Sequence, residues 1–255
     1  MRPRPLLVAA GLTLSLLAGC ASDSDLDRRP GDPVTEAEAD ALAGLLHRNY
    51  TRGGADFVIS APYSDGVVLT VTGQVDFQAA VGRAQAVTTF ADGRADDSRT
   101  IVFSREDVWT GDLPGLAEAL ARDGARGASW LRRPVTTGSE DVQPVLLDVV
   151  LEVLLNLSAR KSDDPQAYLD GSYTWEGQRS IDSRLTSLYG LREDRVVAVA
   201  AAGDVLAQFE TPLAGGDLDV TVTLSEHGRR AVDVPVARET AEAAEHTEVA
   251  ALYGI

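Results

Sequence analysis

The sequence predicts an α+β fold built on an antiparallel sheet, and three observations predict it. Two long stretches, Ala55–Thr110 and Gly171–Val236, alternate apolar and polar residues with a period of two, as strands with one buried and one wet face do. Turn residues separate these runs closely enough for hairpins rather than crossover connections. Helical periods are confined to Thr35–Tyr50, Pro114–Arg122 and Val142–Leu157.

The chain opens on an export signal. Arg2 and Arg4 precede an uncharged run from Leu6 to Leu17, and Leu17-Ala18-Gly19 leads into Cys20, the only cysteine. The apolar run is about a dozen residues, short of the roughly 20 that span a bilayer. Leu-Ala-Gly-Cys resembles a bacterial lipobox, in which the thiol is acylated and becomes the first residue of the mature protein. The alternative is a simple secretory signal that happens to contain a cysteine. With lipidation at Cys20, residues 1–19 are a lipoprotein signal peptide and the body is held on the extracytoplasmic face of the cell membrane by its acyl chains, such as palmitate. Residues 20–34, polar and broken by Pro30 and Pro33, read as a disordered tether.

Removing Arg2 and Arg4 from the 23 basic residues leaves 21 against 39 acidic ones, a balance of −18. Such a charge argues against nucleic acid and against electrostatic docking on anionic lipid. Once Cys20 is acylated no thiol remains for disulfides, metals or catalysis. Basic residues are nearly all arginine, with Lys161 the only lysine, which fits a high-GC genome such as an actinobacterium's.

Thr35, with Glu38 three residues on, opens the first helix as a capping box, and Leu42, Leu45, Leu46 and Tyr50 form its apolar stripe. Phe57, Ile59 and Ala61 share one face of the next strand, which turns at Tyr63-Ser64-Asp65-Gly66. A long strand follows from Val67 to Phe77, with Gly73 placed for a bend or bulge. Further strands are expected at Arg83–Phe90, Thr100–Ser104 and Asp107–Thr110. In Val142–Leu157 only Asp148, Glu152 and Asn156 are polar after Gln143, and their spacing of four puts them in one stripe. That stripe is either a solvent-facing edge or a polar seam in a cavity, and the remaining face is far wider than one sheet contact requires. After a polar loop, strands are expected around Tyr173–Trp175 and at Arg184–Leu191, Arg195–Ala201, Val205–Thr211, Asp217–Leu224 and Ala231–Val236. Residues 35–238 then form one domain and 239–255 a tail that either docks as a helix or frays.

Chemical motifs are missing. His47, His227 and His246 are widely separated and read as surface histidines, and no metal spacing, nucleophile elbow or phosphate loop occurs. Asp96-Asp97 and Asp163-Asp164 read as solvated carboxylates in turns. The sequence therefore points to no catalytic residue, cofactor or metal, and to no enzyme.

Several segments resemble the LppX/LprG-type lipoproteins of mycobacteria and their relatives. Thr72-Gly73-Gln74-Val75-Asp76 is similar to that family's second strand. Ile101-Val102-Phe103 with Asp107-Val108-Trp109 is similar to its middle hairpin, and Val220–Gly228 with Val232 and Val234-Pro235 to its closing strands. Loop 159–170 and the tail depart from the pattern, and His227 stands where the family tends to have an aromatic. The resemblance implies a LolA-like half-barrel: a strongly curved antiparallel sheet with helices packed over its concave face. It also implies a lipid-binding cavity. The ligand would be an acylated lipid or lipoglycan carried from the membrane, with an envelope transport partner to receive it. Phe57, Ile59, Leu69, Val71 and Phe77 of the sheet would line the cavity opposite Leu146, Val150, Val153 and Leu154 of the helix. Two alternatives stay open: these side chains interdigitate and leave no gap, or the fold serves a regulatory or scaffolding lipoprotein that binds an envelope protein.

Overall fold

The computed structural model describes residues 28–64, 66–138, 144–213 and 219–255. The signal segment and Cys20 lie outside the described residues, as do Asp65, Val142, Gln143, Asp217 and Leu218 of the expected elements.

The chain enters as a two-residue strand, β1 (Asp32–Pro33), and continues into α1 (Glu36–Ala43) and α2 (Leu45–Arg52). A first meander follows: β2 (Gly54–Ser64), β3 (Val67–Asp76), β4 (Val81–Phe90), β5 (Asp97–Phe103) and β6 (Asp107–Gly111). Helix α3 (Leu116–Arg122) then precedes β7 (Trp130–Pro134) and α4 (Leu146–Asn156). The second meander is β8 (Thr174–Ile181), β9 (Arg184–Gly190), β10 (Val196–Ala200), β11 (Val205–Pro212) and β12 (Asp219–Ser225). The chain ends with β13 (Thr240–Glu242) and α5 (Thr247–Leu252).

Among the described residues both meanders belong to one open sheet of 13 strands, because β12 turns back antiparallel onto β2 with Val222 opposite Ile59 and Leu224 opposite Phe57. The architecture is α+β, a curved half-barrel whose helices cover the concave face. The terminal segments cap its edges, β1 on β8 and β13 parallel to β7, so that β8 and β7 each gain a second partner.

Two rows of cross-strand neighbours explain the core. Val222, Ile59, Val71 and Ala86 stand side by side on four strands, and Leu224, Phe57, Gly73, Ala84 and Ile101 on five. These side chains are buried beneath Leu42 and Leu45 of α1 and α2 and Val150, Leu151 and Leu154 of α4. The second row is smallest at Gly73 and Ala84, and smallness allows the strands to close up. A Cβ on Gly73 would run into the Arg83 carbonyl and the main chain of Ala84. Pairing continues without a shift at Gly73, so it serves as a point of close approach; the irregularities fall at Pro62/Ser64, Trp175/Gly177 and Ala198/Val199.

Local signals behave as expected at the first helix. Thr35 Oγ1 accepts from the Glu38 amide at 3.3 Å and the Glu38 carboxylate accepts from the Thr35 amide at 2.8 Å. The expected single helix divides at Gly44, whose missing side chain leaves room for the Arg48 guanidinium. Arg28–Val34 of the expected tether is built into the domain: Gly31 N–H donates to Trp175 O at 2.9 Å and Val34 N–H to Tyr173 O at 3.2 Å. The expected strand Ala231–Val236 is not formed. Its predecessor β12 is already flanked by β11 and β2, so the chain must travel to the free edge at β7 before it can pair. There the tail docks, with Val249 and Ala250 packed in a second apolar cluster against Leu116, Leu120 and Leu131.

Candidate functional site

Helix α4 rests on β2 and organises the concave face. Its polar stripe divides. Glu152 and Asn156 are exposed, whereas Asp148 is 0% exposed and held by both Arg133 guanidinium nitrogens, at 2.7 Å each, and by the Thr136 amide at 2.6 Å. Asp148 is thus no solvent-facing edge: it forms a buried ion pair fixing the start of α4, beside a polar cleft of about 310 Å³ that it lines with Arg105, Leu151, Glu152 and Leu155. At the other end, Arg105 donates to Leu155 O and to Asn156 Oδ1, both at 3.0 Å, and Asn49 Nδ2 donates to Leu157 O at 2.7 Å.

Two further clefts flank the helix. The first, about 350 Å³, lies over the second meander. Leu42, Leu45 and Leu46 supply one wall, and Val153, Asn156 and Leu157 at the end of α4 the other. Its floor is Val197, Leu206 and Phe209 of β10 and β11, with Leu191, Arg195, Tyr168 and Thr211 around it. The second cleft, about 300 Å³, lies over the first meander; there Arg99, Arg133 and Thr110 accompany Leu69 and Leu146, and Ile255 of the tail sits against it.

The nine residues expected to line a cavity separate accordingly. Leu69 and Leu146 line the second cleft and Val153 the first. Phe57, Ile59, Val71, Phe77, Val150 and Leu154 line neither; they belong to the packed core, where the Phe57 and Phe103 rings meet edge to face at 6.1 Å. The physical reason is that α4 descends directly onto β2, so facing side chains interdigitate. The clefts lie beside this contact rather than beneath it. Sequence reasoning missed the floor of the first cleft. The stripe Leu42, Leu45, Leu46 and the strand Val205–Thr211 are both visible in the sequence, but nothing local says that they face each other.

The first cleft lies near the point where the chain enters the domain. Asp32 of β1 pairs with Trp175, which pairs with Tyr189 just ahead of the Leu191–Arg195 turn. Glu38 ties this corner together, accepting from Arg28 at 2.6 Å and from the Tyr189 hydroxyl at 3.3 Å. Burial pushes the Glu38 carboxyl up, yet bonds from Arg28 and Thr35 outweigh it and leave the group below its ordinary value. Burial, with the Glu38 charge beside it, pushes the Tyr189 phenol up to about 12.

None of the three histidines is the surface group expected. His47 and His246 are half-buried, Nδ1 of the first lying 3.3 Å from Ala159 O and of the second 2.7 Å from Asp123. His227 is half-buried as well, and its Nε2 is enclosed without a partner among the described residues. Among the described residues no group of three or more His, Cys, Asp or Glu is placed to hold a metal ion.

No protein-family model matches the chain, and no curated protein matches it by sequence. Solved structures do resemble it. LprF from Mycobacterium bovis aligns with a TM-score of 0.43 and 12% identity over 80% of this chain and 98% of that one. An uncharacterized conserved protein from Thermus thermophilus aligns with a TM-score of 0.37 and 10% identity, covering 81% and 98%. A LolA superfamily protein from Nitrosomonas europaea aligns with a TM-score of 0.24 and 10% identity, covering 78% and 96%.

Proposed function

We propose that the protein is a cell-envelope lipoprotein, anchored to the membrane through acylated Cys20, that binds hydrocarbon of an acylated lipid or lipoglycan and carries it from the membrane. The observation that carries this reading is the apolar cleft between α1–α2, α4 and the β10–β11 floor. A chain lying there exchanges water for leucine, valine and phenylalanine side chains, worth about 0.8 kcal/mol per buried methylene. About ten methylenes would gain roughly 8 kcal/mol, near micromolar affinity before the cost of association is subtracted. An anchor reaching the domain at β1 would hold the cleft near the membrane it draws from. No chemistry on the cargo is involved.

The packed core around Phe57, Val71 and Val150 supports a second reading, a regulatory or scaffolding lipoprotein that binds an envelope protein instead of carrying lipid. Native mass spectrometry of residues 28–255, purified from a lipid-containing host, separates the two. The carrier reading expects a co-purified amphiphile. Its absence at any stoichiometry favours the scaffold.

A further inference from the structure

Resting on the lipid-binding reading, we infer that the cleft beside α4 takes a single-chain amphiphile with an anionic headgroup, and that Arg195 determines this choice. Three observations carry it. The cleft is about 350 Å³, at the lower end of the roughly 300–1,000 Å³ of small-ligand pockets, which leaves room for one guest chain rather than a pair.

Its charge is also opposite to that of the protein. The chain has 39 acidic and 23 basic residues, yet among the described residues no Asp or Glu lines this cleft and Arg195 is its single cation. A negative headgroup therefore meets attraction here, in a molecule whose net charge otherwise repels it.

The third observation is how Arg195 is held. It closes the β9–β10 turn, where Leu191 N–H donates to the Arg195 carbonyl at 2.7 Å across Glu193 and Asp194, both left-handed with φ of 61° and 56°. Among the described residues its guanidinium pairs with Glu193 of the same turn alone, whose side chain is 71% exposed. An exposed pair of this kind contributes little, because water screens it and both side chains lose freedom in forming it. A carboxylate or phosphate anchored by its own buried chain can displace Glu193 at little cost. Across the cleft, Asn156 accepts from Arg105 through Oδ1, leaving its amide hydrogens to serve as a second donor. Tyr168 and Thr211 already donate elsewhere, to Asp163 and to the Pro212 carbonyl.

The test is calorimetric titration of the full chain carrying Cys20→Ser, with palmitate, lysophosphatidylglycerol and lysophosphatidylcholine of equal chain length. Palmitate and lysophosphatidylglycerol distinguish a carboxylate from a phosphate head. At least one of them should bind tenfold or more tightly than lysophosphatidylcholine. Arg195→Gln should abolish that preference, bringing all three amphiphiles within about threefold of one another, while leaving the melting temperature unchanged. Equal affinities for all heads, or an unaltered preference in Arg195→Gln, would overturn the inference and leave the lipid-binding reading standing. If no amphiphile bound the unsubstituted cleft, the lipid-binding reading would fall and take the inference with it.

Discussion

Arg133 and Asp148 meet in a two-pronged ion pair between β7 and α4, with both N–O distances 2.7 Å and the carboxylate fully enclosed. Neither residue announces the other in the sequence, since they are fifteen positions apart in elements of different period. The pair seats the first turn of α4 over the sheet, with the Thr136 amide completing the satisfaction of Asp148.

Removing one partner strands a charge in the interior, which costs about 3–5 kcal/mol, whereas replacing both with apolar groups is often close to neutral. Asp148→Ala should therefore lower the urea midpoint steeply, and Arg133→Met with Asp148→Leu should recover most of the loss. A single variant as stable as the parent would show that the pair does not hold α4 in place.

His227 makes stability depend on pH. Burial, together with Arg184, Arg52 and Arg230, holds the folded imidazole at about 4, against 6.5 in an ordinary environment. Between those values the unfolded chain binds a proton that the folded chain does not. The stabilisation is thus complete above pH 6.5, fades as pH falls towards 4, and declines no further below. Urea midpoints measured between neutral pH and the folded value should drop less in His227→Phe than in the parent. Carboxylates such as Glu38 titrate in both proteins, so the difference isolates the histidine. Identical slopes would place His227 in solvent.

Core and cleft should respond differently to tryptophan. Val71 and Val150 are 0% exposed in the packed interior, and overfilling such positions costs about 1–3 kcal/mol or more. Val71→Trp and Val150→Trp should melt well below the parent. Val153→Trp, beside open volume, should melt near it and expel any bound amphiphile. A stable Val71→Trp would mean that the interior is looser than its packing indicates.

Much of the fold is legible in the chain because strand and capping signals are local. The alternation in β3, the Thr35–Glu38 box and the apolar run of α4 each state an element and its buried face. Strand β7 is hidden because Arg132 and Arg133 interrupt the alternation. Their partners, Glu242 and Asp148, come from other segments. The expected strand Ala231–Val236 fails for the converse reason: its residues suit a strand, but no sheet edge lies within reach.

The sequence by itself determined the element types, the α+β class and an interior of aliphatic side chains, since periodicity and turn chemistry act over a few residues. Only the tertiary structure decided where that interior is solid and where it is open. Volume left between a helix and a curved sheet depends on the angle at which they meet. Buried contacts such as Asp148 with Arg133 set that angle, not any stretch of the chain taken alone.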